Sequence, residues 1–333
     1  MELDRLIETF GLRPVLVDVG ASGHPPVTWS AIARHSTYVG FDPDRRELRD
    51  EARGDFARYV LVNQSVSADT GDDDQTFYYT ASPFCSSTLR PDGPALAQYL
   101  FADMFEVERT DGVPATTLND VGRRFDLDAI HWLKLDTQGT DLRIFESLDD
   151  DLKRRVLAID IEPGLIDAYV GEDKFTTVHE RLTDAGFWLC AMNVLGSVRI
   201  SRDAVRAAMR MDPLADPSML ERTAPRSPGW CEARYLRTSA SLDDTNDARQ
   251  DDVMLWIFSM LAGQYGFAIE MADRFERRGG ADTEAELMLR LPIERLRRQD
   301  RCDGPLRRLT RRTGKPRQAS PFVVREPCAL PDS

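Results

Sequence analysis

Two short segments of the chain combine the residue types that hold a nucleoside. The first, "VLVDVGASGHPP" (15–26), is an apolar run followed by residues almost free of side chains, and the second, "YVGFDPD" (38–44), leads to Asp42. Small residues allow a ligand close to the backbone, whose N–H groups can donate to it. A carboxylate after the next strand can accept hydrogen bonds from both hydroxyls of a ribose. The residues predicted to bind the nucleoside here are Asp18, Gly20, Ala21, Ser22, Gly23 and Asp42.

The spacing of the glycines narrows the kind of nucleoside. A dinucleotide fingerprint has the pattern G-x-G-x-x-G, but here the second glycine is missing, and Pro25 and Pro26 remove two N–H donors that a pyrophosphate would use. The chain also lacks the G-x-x-x-x-G-K-[ST] pattern of nucleoside triphosphate sites. A nucleoside without phosphates fits better, and S-adenosylmethionine is the common one. Two alternatives stay open: an NAD-dependent oxidoreductase, and a non-catalytic binding protein with a degenerate pocket.

The elements that position these residues alternate between strand-like and helix-like patterns. Helical patterns such as "VTWSAIARH" and "DLRIFESL" separate short apolar runs that are rich in β-branched residues. This alternation predicts a doubly wound α/β fold with a mainly parallel sheet. The strand-like runs are "PVLVDV" (14–19), "TYVGFD" (37–42), "ARYVLVNQSV" (57–66), "IHWLKLD" (130–136) and "VLAIDIE" (156–162).

Polar residues at the ends of the later strands are the next candidates, because ligands bind beyond the carboxyl ends of the strands in such sheets. Asn63, Gln64 and Ser65 follow the third strand and are predicted to bind the adenine ring. Asp136 ends the fourth strand, where it is either the base that takes a proton from the acceptor or the partner of the cofactor's amino group. Glu162 ends the fifth strand and is either a second candidate base or a structural carboxylate in a salt bridge.

Three basic residues are candidates for contacting the substrate. Lys134 lies two residues before Asp136, so both side chains point to the same face of the strand, and a buried lysine needs a carboxylate partner. Arg90 belongs to the polar segment "ASPFCSSTLRPDG" (81–93), which is predicted to cover the site, and it suits a phosphate or carboxylate on the acceptor. His24 lies in the glycine-containing loop and is a further candidate base.

Several motifs resemble those of the FkbM family of S-adenosylmethionine-dependent methyltransferases. In "LKLDTQGTDLRIFESL" (133–148), the family signature Lys-hydrophobic-Asp-x-Glu-Gly-x-Glu is matched by Lys134, Asp136 and Gly139. Gln138 stands for the first Glu of that signature, and Asp141 stands for the second. "CSSTL", "VPATTLNDV", "IDIEP" and "FTTVHERLTDAGFWL" follow in the expected order, and the likeness covers about residues 14 to 238.

The resemblance implies a class I methyltransferase fold, with a seven-stranded, mostly parallel sheet that contains one reversed strand. It also implies S-adenosylmethionine as the cofactor and methyl transfer to oxygen, which family members often direct at sugar hydroxyls in glycans, glycolipids and glycosylated metabolites. Gln138 is counted with Asp136 among the residues that bind the cofactor. Because a neutral amide cannot replace a carboxylate as proton acceptor or metal ligand, Gln138 argues against a metal-dependent reaction, and no metal site is predicted.

Composition and charge limit the classes of partner. The net charge of −13 over 333 residues disfavours nucleic-acid binding, because phosphates would be repelled. The five cysteines show no C-x-x-C spacing, the N-terminus has no signal-peptide pattern, and no apolar stretch is long enough to span a membrane. We therefore expect a cytoplasmic protein that acts on a small-molecule or glycan acceptor.

Composition also divides the chain. Together with the resemblance, it predicts an FkbM-like methyltransferase domain over 1–238, a linker over 239–251, a helical extension over 252–300 with three helical patterns (roughly 252–263, 264–278 and 282–300) and a basic tail over 301–333. The basic tail is either disordered or a docking segment. The helical extension carries enough apolar surface to pack on the main domain or to form a homodimer.

Overall fold

The computed structural model describes residues 2–46, 51–69, 74–242 and 248–312. Contacts between residues divide the chain into two compact units. One unit comprises Arg13–Tyr235, and the other comprises the chain up to Leu12 together with the chain from Leu236 onward. The domain boundaries expected from composition stay a prediction.

The strands, in chain order, are β1 (Val15–Val19), β2 (Thr37–Phe41), β3 (Arg58–Val62), β4 (Ser65–Val66), β5 (Gln75–Thr80), β6 (Val107–Val113), β7 (Ala115–Thr116), β8 (Trp132–Leu135), β9 (Ala158–Ile161), β10 (Phe187–Ser197) and β11 (Ser227–Arg237). The helices are α1 (Glu2–Thr9), α2 (Gly93–Leu96), α3 (Leu118–Phe125), α4 (Asp141–Glu146), α5 (Asp150–Arg155), α6 (Phe175–Asp184), α7 (Arg202–Met211), α8 (Pro217–Thr223), α9 (Ala248–Leu261), α10 (Tyr265–Arg277) and α11 (Asp282–Arg312). Short 3-10 helices lie at Val27–His35, Glu51–Asp55, Pro83–Cys85, Leu100–Phe105 and Ser239–Leu242.

The main sheet has seven strands in the order β10-β11-β9-β8-β1-β2-β3. β3, β2, β1, β8 and β9 run parallel, and Val17 of β1 lies beside Val39 of β2 on one side and Leu133 of β8 on the other. The chain builds outward from β1 first toward β3 and then toward β10, which is the doubly wound arrangement. The predicted fold class, a seven-stranded and mostly parallel sheet with C-terminal helices, is confirmed.

β11 is a reversed strand in this sheet. Gly164, just beyond β9, forms an antiparallel bridge with Trp230 near the start of β11. Asp160, four residues earlier in the chain, contacts Arg234, four residues later than Trp230. β11 therefore runs antiparallel to β9, as the family resemblance implies for one strand.

The apolar core lies against the parallel strands. Val17, Val39, Leu133 and Ile159 occupy four of these strands and are completely buried. Apolar side chains of α3, α4 and α6 complete the cluster. Near-continuous buried runs are typical of a parallel sheet that is covered on both faces.

The side chains that alternate with this core carry a row of charges across four strands. Asp18 of β1, Lys134 of β8 and Asp160 of β9 lie side by side in the strand register. Lys134 Nζ lies 2.8 Å from Asp18 Oδ1, and Arg234 Nε of β11 lies 2.6 Å from Asp160 Oδ1. We call this row the charge ladder. Each charge has a neighbour of opposite sign, which offsets the cost of removing it from water.

The third predicted strand is shorter than the run "ARYVLVNQSV" indicates. β3 ends at Val62, whereas Ser65–Val66 form β4, which pairs with β7 in a separate two-stranded sheet. Between them, Asn63 Nδ2 donates to the backbone oxygens of Asp42 (2.8 Å) and Pro43 (3.1 Å). These bonds tie the chain to the end of β2, so the expectation of one strand over 57–66 is wrong.

The segment between β3 and β8 contains a further small sheet. β5 and β6 pair as a two-stranded antiparallel sheet, with Tyr78 opposite Thr110. Tyr78 also exchanges backbone hydrogen bonds with Ser87, which fixes the following segment against β5. The predicted helix "VTWSAIARH" is a 3-10 helix.

The second unit is helical in its described part. α9, α10 and α11 correspond to the three predicted C-terminal helices. Trp256 Nε1 of α9 donates to Met288 O of α11 (3.0 Å), and Phe10 meets Phe275 of α10 edge-on at 5.6 Å. α11 continues to Arg312, so residues 301–312 of the predicted basic tail are helical, while 313–333 lie outside the described residues. Within the described ranges, no helix has the length and apolarity needed to cross a membrane.

Candidate active site

A cavity of about 610 Å³, measured out to its open mouth, lies at the carboxyl ends of β1, β2 and β8. We call it the strand-end cavity. This is where ligands bind in open α/β sheets. The predicted site residues that line it are Gly20, Ser22, Asp42, Gln64, Ser65, Asp136 and Gln138. The structure thus brings together residues from four separate segments of the chain.

Gly20 has a conformation and a position that exclude a side chain. Its φ is +82°, and an added Cβ would lie 2.0 Å from the backbone oxygen of Asp136. Glycine adopts a positive φ without a steric penalty. Gly20 therefore allows the end of β1 to contact the end of β8, and this contact brings Asp136 to the cavity.

The backbone N–H groups of the turn are used within the protein. Gly20 and Ala21 both donate to the backbone oxygen of Phe41, at 2.9 and 2.8 Å, and Ser22 donates to that of Gly20 at 2.9 Å. The expectation that these three groups are free for a ligand is wrong, because the turn is fastened to β2. Gly23 has φ +79° and does not line the cavity. The turn therefore contributes to the cavity by the absence of large side chains, which leaves space for a ligand, and not by its N–H groups.

Asp42 lies in the wall of the strand-end cavity with 8% of its surface exposed. Burial raises the pKa of Asp42 to about 7, although the N–H of Asp44 donates to Asp42 Oδ1 at 2.7 Å and opposes the shift. Asp44 also lines the cavity, but it is paired with Arg46 at 2.6 Å. Asp42 is therefore the carboxylate best placed to accept hydrogen bonds from ribose hydroxyls.

The polar residues after β3 divide into two groups. Gln64 and Ser65 line the cavity, and Ser65 Oγ donates to Gln75 Oε1 at 3.0 Å. Asn63 does not line it, because its amide binds the backbone after β2. The predicted contact with adenine stays a prediction for Gln64 and Ser65, and the structure gives Asn63 a bracing role instead.

Asp18 and Lys134 line neither this cavity nor the second cavity described below. Asp18 accepts hydrogen bonds from Lys134 Nζ (2.8 Å) and from the hydroxyl of Tyr38 (3.0 Å). Burial by itself would lower the pKa of Lys134, but the negative charges of Asp18 and Asp136 outweigh it and raise that pKa. Lys134 has the carboxylate partner that the sequence predicted. That partner belongs to the charge ladder and not to the pocket.

Asp136 is held by the side chain of Gln138. Gln138 Nε2 donates to Asp136 Oδ1 at 2.5 Å, and the hydroxyl of Tyr169 lies 3.0 Å from Gln138 Oε1. Gln138 has φ +58°, which is uncommon for a residue with a side chain. Ser87 Oγ donates to the backbone oxygen of Gln138 at 2.8 Å and supports this conformation. Burial raises the pKa of Asp136, whereas the charge of Lys134 and the Gln138 amide lower it.

A second cavity of about 1300 Å³, measured to its mouth, adjoins the first. We call it the aromatic cavity. Asp136, Gln138 and Phe84 line both cavities, so the two spaces meet at these side chains. In its wall, Phe101 stacks on Trp230 with ring centroids 6.1 Å apart and an interplanar angle of 12°. The carboxylates that line it are Asp136, Glu162, Glu172, Glu221 and Glu232.

Glu162 lies in the aromatic cavity, as expected for a residue after the fifth strand. Burial raises the pKa of Glu162 to about 9, and the negative charge of Asp136 adds to the shift. A cation bound nearby would lower that pKa again, because it favours the charged carboxylate. Arg90 and His24 are exposed and line neither cavity, so the structure does not bring them to the site.

Some residues of the site carried no usable signal in the sequence. Phe84 belongs to the segment 81–93 that was expected to cover the site, but nothing singled it out. Tyr169 lies in the connection after β9 and Trp230 lies in β11, and only the tertiary structure brings them together at the aromatic cavity. Ser87 lies in the segment 81–93 and in "CSSTL", but neither the segment nor the family resemblance indicates its contact with the backbone of Gln138.

A family model gives independent evidence on what this arrangement is. The model of the methyltransferase FkbM domain matches residues 21–189, just over half of the chain. The chain belongs to the FkbM methyltransferase family. The membership confirms the resemblance inferred from the fourth-strand motif, and S-adenosylmethionine is the cofactor.

Comparison with solved structures returns other methyltransferases at low similarity. A TehB-like S-adenosylmethionine-dependent methyltransferase from Corynebacterium glutamicum is 14% identical, with 71% of this chain and 88% of that chain covered and a TM-score of 0.25. An antibiotic-related methyltransferase is also 14% identical, with 71% and 95% covered and a TM-score of 0.26. No curated protein matches the chain.

The residues that line the strand-end cavity of this FkbM methyltransferase suit the chemistry of S-adenosylmethionine. Gly20 leaves the turn without a side chain, and the carboxylates of Asp42 and Asp136 in the cavity wall could accept hydrogen bonds from ribose hydroxyls and from the positively charged end of the cofactor. The cofactor would supply a methyl group already activated by its sulfonium. In the part of the chain that the structure describes, no three His, Cys, Asp or Glu side chains are arranged to hold a metal ion.

Proposed function

We propose that the protein transfers the methyl group of S-adenosylmethionine to a hydroxyl of a sugar in a glycan, glycolipid or glycosylated metabolite. The observation that carries the proposal is the junction of the two cavities. Asp136, Gln138 and Phe84 line both, so a ligand in the aromatic cavity can reach the methionine end of a cofactor in the strand-end cavity.

The lining of the aromatic cavity supports a sugar acceptor. Phe101 and Trp230 offer aromatic faces on which the apolar face of a sugar ring can pack. Carboxylate oxygens accept hydrogen bonds from sugar hydroxyls. A mainly apolar wall with a few polar groups is the usual composition of a small-molecule site.

The proposed roles of the carboxylates follow from their positions. Glu162 takes the proton of the acceptor hydroxyl, because it lies in the acceptor cavity and the positive charge of the bound cofactor favours its ionised form, which can accept a proton. Asp136 faces the positively charged end of the cofactor at the junction. The remaining task is to align the acceptor oxygen with the methyl carbon and sulfur, which is catalysis by positioning.

Labelled S-adenosylmethionine and a panel of glycosides test the proposal. We expect transfer of the label to at least one glycoside, with the added methyl located on an oxygen by mass spectrometry. Glu162→Gln should lower turnover about 100-fold or more, the usual contribution of a general base. Glu180→Gln changes an exposed carboxylate of α6 in the same way and should leave turnover unchanged.

Three outcomes would count against this function. Transfer only to nitrogen or carbon acceptors would remove the O-methyl assignment. Stabilisation of the protein by NAD(H) and not by S-adenosylhomocysteine would indicate an oxidoreductase and not a methyltransferase. Cofactor binding without transfer to any acceptor class would favour a non-catalytic binding protein.

A further inference from the structure

Gln138 stands where the family motif usually has a glutamate, and its hydrogen bonds show what the amide does. The side chain lies between two partners, Asp136 at 2.5 Å and the hydroxyl of Tyr169 at 3.0 Å. An ionised carboxylate can only accept hydrogen bonds, so the amide must present its NH₂ to Asp136. Its carbonyl then faces the hydroxyl of Tyr169. The hydrogen bond to Asp136 sets the orientation of the amide.

Tyr169 and the backbone around Gln138 hold this amide in place. The hydroxyl of Tyr169 also lies 2.8 Å from the backbone oxygen of Cys85, so its single hydrogen is shared between that oxygen and Gln138 Oε1. Ser87 Oγ holds the backbone oxygen of Gln138 at 2.8 Å. The amide therefore approaches Asp136 from a fixed direction and occupies its Oδ1, and Oδ2 remains for a ligand at the junction of the cavities.

We propose that Gln138 is a positioning residue whose amide fixes Asp136 as a charged, oriented carboxylate at the junction, so that the protein binds the cationic methyl donor in preference to the neutral demethylated product. The inference rests on the proposed function in one respect, namely that Asp136 faces the sulfonium. It does not depend on the identity of the acceptor.

The charges around Asp136 make this support necessary. Burial favours the neutral acid, and the amide of Gln138 and the charge of Lys134 oppose that effect. Because Lys134 is paired with Asp18, the Gln138 amide is the donor that acts on Asp136 directly. The titratable groups that act on Asp136 or feel its charge are Lys134 on its own strand, Asp18 from β1, Asp42 after β2, Glu162 after β9, Glu232 from β11, Asp141 from α4, and Cys85 and Tyr169 from the connecting segments.

A glutamate at this position would reach the same charge by a different route. Its carboxyl would lie against that of Asp136, and two carboxylates in contact must share one proton. The pair would then carry the same single negative charge as Asp136 with Gln138. It would lose the shared proton as the pH rises, whereas the amide has no proton to lose.

Calorimetric binding of S-adenosylmethionine and S-adenosylhomocysteine to the full chain tests the proposal without an acceptor. The readout is the ratio of the two affinities in each variant, divided by the same ratio in the wild type. Protonation of the ligands and of Asp42 affects the variant and the wild type alike, so it cancels from this quantity. Gln138→Met should lower the preference for S-adenosylmethionine about tenfold near neutral pH, as expected for the loss of one hydrogen bond to a charged group. Raising the pH should restore the preference, because Asp136 ionises again.

Two further variants separate positioning from a structural role. Gln138→Asn tolerates the positive φ well but is too short to bridge Asp136 and Tyr169, so it should behave like Gln138→Met. Gln138→Glu should keep the wild-type preference near neutral pH and exceed it at higher pH. Equal weakening of both ligands at every pH, or no change in the ratio, would overturn the role of Gln138.

Asp136→Asn distinguishes failure of this inference from failure of the proposed function. It should lower the preference for S-adenosylmethionine at all pH values. If Asp136→Asn leaves the ratio unchanged, Asp136 does not face the sulfonium and the proposed placement of the cofactor fails. If Asp136→Asn lowers the ratio but both Gln138→Met and Gln138→Asn do not, only the role of Gln138 is wrong.

Discussion

At the scale of single residues, the two carboxylates after β2 look alike in sequence and differ in structure. Asp42 is buried in the cavity wall with a pKa raised to about 7, whereas Asp44 is paired with Arg46. In the proposed cofactor site a ribose donates hydrogen bonds to the ionised form of Asp42, so a proton on Asp42 would compete with the cofactor. The affinity for S-adenosylhomocysteine should therefore depend on pH.

We expect that affinity to fall roughly tenfold between pH 8 and pH 6, as Asp42 takes up a proton on the acid side of its pKa. Calorimetry over this range measures the effect. Asp42→Asn should bind weakly at both pH values and lose the dependence, while Asp44→Asn should keep it. A wild-type affinity that is constant over this range would show that Asp42 does not bind the ribose as a carboxylate.

The residue scale also shows what the sequence can predict about a site. Gly20, Asp42 and Asp136 were recognisable because each follows an apolar run, and the carboxyl ends of parallel strands share one edge. Asp18 satisfies the same local pattern, but its partner Lys134 lies 116 residues away and is found only by folding. A local pattern predicts that a residue lies near the site. Long-range pairing determines whether its charge is neutralised within the protein or faces the cavity.

At the scale of elements, the meeting of β1 and β8 depends on a missing side chain. An alanine at position 20 would place its Cβ 2.0 Å from the backbone oxygen of Asp136. We expect Gly20→Ala to lower the free energy of unfolding by about 3 kcal/mol, because backbone must shift to accept the methyl group. Urea denaturation measures the loss.

Gly23 is the matched control for this substitution. It lies three residues later and also has a positive φ, +79°, but nothing lies within 4 Å of an added Cβ. Gly23→Ala should cost only about 1 kcal/mol, the penalty for a positive φ. Equal losses for the two variants would mean that backbone conformation alone, and not the contact with Asp136, selects glycine at position 20.

The charge ladder is a second feature that belongs to the scale of elements. Lys134→Met would leave Asp18 buried without its cation, and we expect a loss of about 3 kcal/mol in the free energy of unfolding. Arg206→Met removes an exposed ion pair with Asp203 and should change it by less than about 0.5 kcal/mol. A small effect of Lys134→Met in urea denaturation would show that the row of charges does not stabilise the sheet.

At the scale of the whole molecule, the α/β class and the three C-terminal helices could be predicted, because the spacing of apolar residues along the sequence reflects which side chains are buried. The strand break after Val62 could not, since "YVLVNQSV" stays compatible with a strand and the break depends on hydrogen bonds from Asn63 to another segment. The aromatic cavity could not be predicted either, because its wall combines residues of strands, helices and connections that are far apart in the chain and meet only in the folded protein. Cytoplasmic location stays a prediction.

A homodimer through the C-terminal helices remains our proposal for the assembled protein. Ile293 and Leu296, three residues apart on α11, are 36% and 41% exposed and give that helix apolar surface for a second copy. We expect light scattering to report the mass of a dimer, and the double variant Ile293→Glu with Leu296→Glu to report a monomer. Monomers alone at high concentration of the wild-type protein would dismiss the proposal.

The alternation of sign along the charge ladder also distinguishes correct from incorrect threading of the chain. If β8 and β9 exchanged places, Asp160 would fall beside Asp18 and Lys134 beside Arg234, so two attractive neighbours would become two repulsive ones. Apolar strands of similar length offer little else to tell such arrangements apart. The four charged side chains therefore favour the observed order of the strands during folding. This contribution to fold specificity is independent of methyl transfer.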